Sequence, residues 1–501
     1  MNLMMLLEMA TSNDPDRAAV SAHDLALTYQ DMYGRAGAGA SYLRERDYQT
    51  VAYLGPNSAA FAVTVFAAAW AGIPFWPVNY RLAGDQILGL LDTDERVLVV
   101  AHQDSAAAVR ACRHDVISVE QWLGLTAGAA PLTEWPSDPD LVAVLLNTSG
   151  TTSKPKTAVL RHRHLVSYVL HSVDFGSADP ADAVAVSVPP YHVAGIVNLL
   201  TNIFAGRRVV YLDAFEPGAW LDTVRRERVT HAMVVPTMLA RIVAELDGTP
   251  ANVPSLRTLS YGGSRVGATT ILQALRLFPG TDFVNAYGLT ETSSTIAILS
   301  PEDHRSALHS DDEAVRARLA SAGQVIPGVE AEIRSADGRP VPPGEAGELW
   351  LRGDQISGEY LASESPLDEN GWFPTKDRAY FDGAQFLFIE GRADDTIIRG
   401  GENIAPAEIE DVLMQHPAVG EAAVVGAPDE EWGQTIVAFV VLREGADADA
   451  DEIRSFARGK LRTSKTPDRI IERDYLPYTD SGKLLRRMLT AELAAGPATD
   501  R

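Results

Sequence analysis

The sequence predicts an α/β protein with two domains of unequal size, and three observations carry that expectation. Strand and helix signals alternate through the first three-quarters of the chain, the pattern of parallel-type sheets covered by helices. After about Gly328 the runs turn short and β-like, separated by Asp, Gly and Pro turns, which marks a small β-subdomain. From Arg392 onward a compact α+β pattern follows, and 501 residues are too many for one core. The boundary falls at Arg392 to Asp394, in the polar stretch Gly-Arg-Ala-Asp-Asp, dividing the chain into 1–392 and 393–501.

Taken in order, the opening MNLMMLLEMA is apolar, lacks a basic flank and carries Glu8. It reads as an amphipathic first helix rather than a signal peptide. Val51 to Leu54 reads as a strand. Pro56-Asn57-Ser58 then starts a helix that Gly72 ends, and Phe75 to Val78 and Val97 to Ala101 return as strands. Ala59 to Ala71 is apolar but too short to span a bilayer, so a buried helix is expected. The loop Glu134-Trp-Pro-Ser-Asp-Pro-Asp140 leads into an apolar run, Leu141 to Leu146, of buried-strand type.

Between Ala183 and Leu212 the order is strand, Pro189-Pro190 turn, helix, Gly206, strand. Thr230 to Val235, Leu256 to Tyr261 and Asp282 to Ala286 add strands with helices between them. Ala331 to Arg334, Gly347 to Arg352 and Ala379 to Glu390 form the β-subdomain. Beyond the boundary come a helix over Pro406–Gln415, strands near Glu421–Val425 and Thr435–Leu442, an acidic loop from Ala446, and a helix over Asp451–Leu461. No internal repeat is present.

Composition narrows the function. Hydrophobic content of 46% with 22% charged residues is an ordinary globular balance. A formal charge of −24 argues against a nucleic-acid or anionic-membrane surface, so an anionic ligand needs a local basic site. Cys112 stands alone, which excludes an internal disulfide and a thiolate metal cluster. No run reaches transmembrane length, and a cytoplasmic protein is expected.

The chemistry concentrates in Leu145 to Thr157, LLNTSGTTSKPKT. Hydroxyls of Thr148, Ser149, Thr151 and Thr152 and backbone N–H groups around Gly150 can donate to phosphate oxygens, while Lys154 and Lys156 can neutralise their charge. A plain solvated connection between a strand and a helix would carry similar residues. It is not a Walker A motif, because Pro155 stands where the second Gly belongs. A second stretch, Asn285-Ala286-Tyr287-Gly288-Leu289-Thr290-Glu291-Thr292, follows a strand, where α/β sheets place ligands. Glu291 can hold a hard cation, Thr290 can reach a phosphate oxygen, and Tyr287 offers a flat face to a purine. Tyr261-Gly262-Gly263-Ser264 ends another strand, and its glycines permit close approach of a ligand; a simple turn would also use them.

Together these motifs resemble the adenylate-forming superfamily of acyl- and aryl-CoA synthetases, firefly luciferase and peptide-synthetase adenylation domains. Within it the chain is most similar to bacterial fatty or aromatic acyl-CoA synthetases, from the N-terminal βα units to Lys483. The family's phosphate loop usually reads Thr-Ser-Gly-Thr-Thr-Gly-x-Pro-Lys-Gly; here Ser153 and Thr157 replace the flanking glycines, while Pro155 and Lys156 stand in place. The Tyr-Gly-x-Thr-Glu motif matches without a departure. Gly371-Trp-Phe-Pro-Thr-Lys-Asp377 resembles Trp-x-x-Thr-Gly-Asp, with Lys376 in the place of Gly.

The resemblance implies a mobile C-terminal domain and the following roles. Asp377 and Arg392 contact the ribose, Gly262, Gly263 and Ser264 lie between adenine and acyl group, and Asp394 is the hinge. His192, in Pro190-Tyr-His-Val-Ala-Gly195, borders the acyl pocket with Gly263; taken alone it is equally a core histidine. Tyr478-Thr-Asp-Ser-Gly-Lys483 would be a common surface turn by itself, but in this context it supplies the catalytic lysine, acting with Lys156, Thr290 and Glu291. The implied ligands are a small-molecule carboxylic acid, ATP with Mg2+, and CoA, in a monomer or homodimer.

Gly400, Gly401 and Trp432 would line the path of the thiol. Lys465-Thr-Pro-Asp468-Arg469 puts an acid where relatives that grip CoA carry a cation, so Asp468 is expected to weaken CoA binding. The phosphopantetheine of an acyl carrier protein is therefore an alternative acceptor. A luciferase-like oxygenase and a non-catalytic nucleotide- or acyl-binding pseudoenzyme are the other readings left open.

Overall fold

The structure, a computed structural model, describes residues 1–22, 25–128, 134–148, 156–212, 214–400, 402–429, 432–443, 445–479 and 484–495. Two mixed sheets carry the large domain. Six strands lie in the order Asp115–Ser118, Val97–Ala101, Thr50–Leu54, Phe75–Pro77, Val142–Thr148 and Lys156–Arg161. All neighbours are parallel except the last two, which form an antiparallel pair. The other sheet has nine strands: Gln324–Val325, Ser294–Leu299, Asp282–Leu289, Thr258–Gly262, His231–Val234, Ala183–Val186, Arg208–Tyr211, Ala18–Ala22 and Leu25–Thr28. Its centre is parallel and both its edges are antiparallel.

The strands of the six-stranded sheet read as unbroken apolar runs because both faces are covered. Leu98 and Val100 point into a core shared with the nine-stranded sheet, while Val97, Val99 and Ala101 point into a second core on the outer face. The helix Ala59–Ala71 is buried along its whole length in the shared core. Ser58 caps its start and Gly72, in the left-handed conformation, ends it. Among the described residues no helix is long and apolar enough to cross a membrane. The first helix, Met4–Asn13, lays Met4, Leu6, Leu7 and Ala10 into the same shared core.

The β-subdomain is an antiparallel sheet of Val329–Arg334, Gly347–Gly353, Phe373–Phe381 and Leu387–Arg392. The expected single run from Ala379 to Glu390 is in fact two arms of a hairpin. The Asp382 carboxylate closes its turn by accepting from the N–H groups of Ala384 and Phe386, each at 2.8 Å.

The small domain has its own apolar clusters, one around Ile409, Leu413, Val424 and Ile436, the other around Val425, Phe439 and Leu489. It holds a two-stranded pair, Ile397–Arg399 with Glu402–Ile404, and a three-stranded sheet of Val419–Asp429, Gly433–Leu442 and Arg469–Glu472. The helices Pro406–Leu413, Ala450–Arg458 and Arg486–Ala495 pack around it. On the helix Pro406–Leu413, Asp411 forms an ion pair with Arg265, the residue after the Tyr261–Ser264 turn.

Candidate active site

Thr148 and Lys156 face each other across the antiparallel strands Val142–Thr148 and Lys156–Arg161. The stretch between them therefore joins two strands, not a strand and a helix. Ser149, Gly150, Thr151, Thr152 and Lys154 lie outside the described residues. Lys156 does not, and its ammonium sits 5.0 Å from the centre of the Tyr360 ring, within cation–π range. The Tyr360 hydroxyl in turn donates to Glu291 Oε1 at 2.6 Å. One tyrosine thus joins a cation and a carboxylate that come from different sheets.

The segment around Tyr360 is tied to both sheets. Val159 N–H donates to Glu359 O at 3.0 Å, Leu361 N–H to Thr157 O at 2.9 Å, and the Ser357 hydroxyl to Val159 O. Arg161 holds the Glu359 carboxylate with two hydrogen bonds, at 2.6 and 2.8 Å. On the other side Ser357 N–H donates to Glu291 O at 2.8 Å, and the Gln355 amide donates to Thr292 O and Thr295 O.

Thr290 heads the short turn Thr290–Thr292, and the two residues after it, Ser293 and Ser294, have φ of 54° and 100°. Such backbone is costly for residues other than glycine and persists only where the surroundings fix it. Here Thr292 Oγ1 donates to Ser294 O at 2.6 Å and accepts from Leu289 N–H at 2.9 Å, while Ser293 Oγ donates to Gln355 O.

The second half of the site is built on Asp377, which is almost fully buried. Tyr287 donates its hydroxyl to Asp377 Oδ2 at 2.5 Å, and Arg392, its cross-strand neighbour, donates to Oδ1 at 3.0 Å and to Thr375 O at 2.9 Å. Burial, then the charge of Asp377, holds the Tyr287 phenol well above its ordinary range, so it stays a donor. Both carboxylate oxygens are already engaged, yet each keeps lone-pair capacity for a further donor. Lys376, where the family has Gly, takes φ of 61° at an irregularity in the strand pairing, and its N–H donates to Glu348.

Other expected residues fall into place by simpler causes. Asn285 gives its amide to Ser321 O at 2.9 Å. A Cβ on Gly262 would lie 2.1 Å from Ala286 O, so glycine is required there by the adjacent strand. Gly263 has φ of 90° and faces Val235, and its turn leads to Arg265. Gly288 lies in the strand Asp282–Leu289 beside an irregularity in its pairing with Ser294–Leu299. His192 occupies the position before the helix Val193–Ala205 without a side-chain hydrogen bond to its first turn, and its ring lies 4.7 Å from that of Tyr191. Asp394 is exposed in the turn Ala393–Asp395.

Gly400 and Trp432 meet: Gly400 N–H donates to Trp432 O at 2.8 Å. Gly401 and Lys483 lie outside the described residues, but Tyr478 and Leu484, which flank the latter's stretch, are bridged antiparallel.

One expectation is corrected. Asp468 does not oppose a phosphate with a bare charge. Its Oδ1 accepts from Arg399 at 2.7 Å and its Oδ2 from Ile436 N–H at 2.8 Å, so it is neutralised and fixes the strand Gly433–Leu442. Lys465 is likewise paired, with Glu408 at 2.6 Å.

The donor set suits Mg2+. Among the described residues no cluster of three acids or histidines is present, but Mg2+ is ordinarily held by one or two carboxylates together with substrate phosphates. Glu291, with Oε1 steadied by Tyr360, would supply such a carboxylate. Sequence reasoning missed Tyr360, Ser357 and Gln355. Their only signal is one aromatic residue in a mostly polar loop.

Similarity to known proteins extends over nearly the whole chain. Residues 7–361 match the family model "AMP-binding enzyme" and residues 408–483 the model "AMP-binding enzyme C-terminal domain". The chain is 36% identical to a feruloyl-CoA synthase of an Amycolatopsis species, over 94% of this chain and 95% of that protein. It is 32% identical to a fatty acid–[acyl-carrier-protein] ligase of Streptomyces coeruleorubidus, over 97% of this chain and 95% of that one. The structure superposes on the o-succinylbenzoate CoA synthetase of Bacillus subtilis, bound to its acyl-adenylate intermediate, with a TM-score of 0.83 and 29% identity over 97% of both chains.

Proposed function

Because this chain belongs to the AMP-binding enzyme family, we propose that it activates an aromatic or fatty carboxylic acid as the acyl-adenylate and transfers the acyl group to CoA. It is an AMP-forming acid–thiol ligase. The acid is the finer part of the reading, and the aromatic substrates in the names of two relatives favour an aromatic one.

One observation carries the proposal. Tyr287 and Glu291, in one short stretch, anchor two sets of side chains: Tyr287 with Asp377 and Arg392, and Glu291 with Tyr360 and Lys156. The first set holds the ribose, through donors to the spare lone pairs of Asp377. The second holds the phosphates, with Lys156 offsetting charge and Glu291 directing Mg2+, whose part is to neutralise phosphate oxygens. Thr148, Thr290, the hydroxyls of Ser149, Thr151 and Thr152 and the backbone N–H groups around Gly150 donate to the same oxygens, and Lys154 adds a cation.

A carboxylate oxygen attacks the α-phosphorus, the bond to the β-phosphate oxygen breaks, and pyrophosphate leaves. Lys483 stabilises the charge that grows on the phosphorus oxygens in that step. A thiol sulfur then attacks the acyl carbon and AMP leaves. His192 and Gly263 border the acyl group, Asp394 is where the small domain turns, and Gly400, Gly401 and Trp432 line the thiol's approach.

Isotope exchange between pyrophosphate and ATP tests the first step, with ferulate, succinylbenzoate, indoleacetate and octanoate as acids. Exchange with at least one acid is expected; none with any acid in Mg2+ overturns the reading. The second reading, a carrier protein as acceptor, is favoured by the carrier-protein ligase among the relatives. Faster acyl transfer to holo carrier protein than to saturating CoA would select it.

A further inference from the structure

The geometry points to Tyr360 as a positioning residue that sets the Glu291 carboxylate for Mg·ATP and keeps Lys156 at its side. Tyr360 acts through both neighbours and need not touch substrate. Its hydroxyl fixes Glu291 Oε1 at 2.6 Å, and its ring lies under the Lys156 ammonium at 5.0 Å. A carboxylate and an ammonium free to approach would form an ion pair and cancel each other. With a neutral phenol between them, both keep their charge for the phosphates and the metal.

The placement of Tyr360 is over-determined. Ala158 and Tyr360 are bridged antiparallel, and the flanking residues bond to Val159 and Thr157 on one side and to the Glu291 carbonyl on the other. A ring so held cannot follow Lys156 or Glu291 if either swings away.

The inference rests on the proposed roles of Glu291 and Lys156, and the test separates the two. Calorimetry measures the affinity of α,β-methylene ATP, which cannot be cleaved at the attacked bond, with Mg2+ and with EDTA. The wild type is expected to bind more tightly with Mg2+. Tyr360→Phe, which keeps the ring, should lose about tenfold of that gain, the usual weight of a group that orients a metal ligand. Its binding in EDTA should stay within about twofold of wild type. Tyr360→Leu should lose the same gain and also weaken metal-free binding, about threefold, because Lys156 is no longer held.

The double variant Glu291→Gln/Tyr360→Phe should be no worse than Glu291→Gln alone, since the hydroxyl acts only through that carboxylate. A Phe variant that gains as much from Mg2+ as the wild type, or additive losses in the double variant, overturns the inference alone. A wild type that gains nothing from Mg2+ overturns the reading of Glu291 and this inference with it.

Discussion

At the candidate site of the large domain and in the interior of the small one, key carboxylates are held by different means. At the site of the large domain, phenols do much of the work: Tyr287 anchors Asp377 and Tyr360 anchors Glu291. In the small domain, guanidinium and ammonium groups meet carboxylates directly: Arg486 with Glu410 at 2.5 Å, Arg399 with Asp468 at 2.7 Å, Lys465 with Glu408 at 2.6 Å. An ion pair cancels charge, whereas a phenol fixes a carboxylate and leaves it charged. The large domain is thus arranged to meet a charged ligand, and the small domain is largely settled within itself. Asp377 stands between the two cases, with one oxygen on Tyr287 and one on Arg392.

The largest effect that separates the domains should come from acid. The large domain buries His162 and His164, whose pKa values burial pushes down to about 4 each from an ordinary 6.5. Below about pH 6.5 the unfolded chain takes up these protons and the folded chain does not, so stability falls with pH until about 4 and no further. Each buried ring accounts for a loss on the order of 3 kcal/mol across that window. The small domain has one histidine, His416, and it lies 3.9 Å from the Glu452 carboxylate. Hydrogen exchange at falling pH should therefore deprotect the helix His162–Ser172 before the strand Gly433–Leu442. The reverse order would break the comparison.

Next in size is Lys483→Ala, which tests whether the small domain contributes one charge to the large domain's site. Adenylation should fall about a thousandfold, the weight of a transition-state charge group, while thiol attack on supplied acyl-adenylate stays within a few-fold. Equal losses in both half-reactions would mean that the lysine serves folding or a shared surface.

Most elements were legible in the sequence because strand runs such as Val97–Ala101 and stops such as Gly72 are local signals. The motif residues were legible for a different reason, their resemblance to a family. What could not be read was pairing across distance. Ser357 bonds to Val159, 198 positions away, and Asp468 to Arg399, 69 positions away. An acid in a loop looks the same in sequence whether it faces a phosphate or an arginine. That is why Asp468 was expected to repel CoA and in fact ties down a strand, and why Tyr360 carried no signal beyond being aromatic.

Asp377→Asn sharpens the comparison at its intermediate case. The amide keeps the shape but loses the charge that Arg392 and, under the proposed function, the ribose hydroxyls share. The KM for ATP should rise about thirtyfold, near the weight of one charge-assisted hydrogen bond, with a smaller fall in kcat. A fall in kcat alone would place Asp377 at the reacting phosphate instead of the ribose.

The smallest effect concerns the residue before Asp377, Lys376, which has φ of 61° where the family's motif carries glycine. A left-handed backbone costs a lysine roughly 1 kcal/mol, and glycine's greater freedom in the unfolded chain takes back about half of what removing that strain gains. Lys376→Gly should therefore stabilise the protein by about 0.5 kcal/mol, a rise in Tm of about 1 °C for a domain of this size. The donor to Glu348 is a backbone N–H and survives the change. Lys376→Ala serves as the control, because it removes the ammonium and keeps the strain. If the Gly variant alone gains stability and both variants keep the wild-type KM for ATP, the lysine is a tolerated strain beside Asp377. If both variants raise that KM alike, the ammonium reaches the nucleotide, and the large domain's site has a cation that no phenol holds in place.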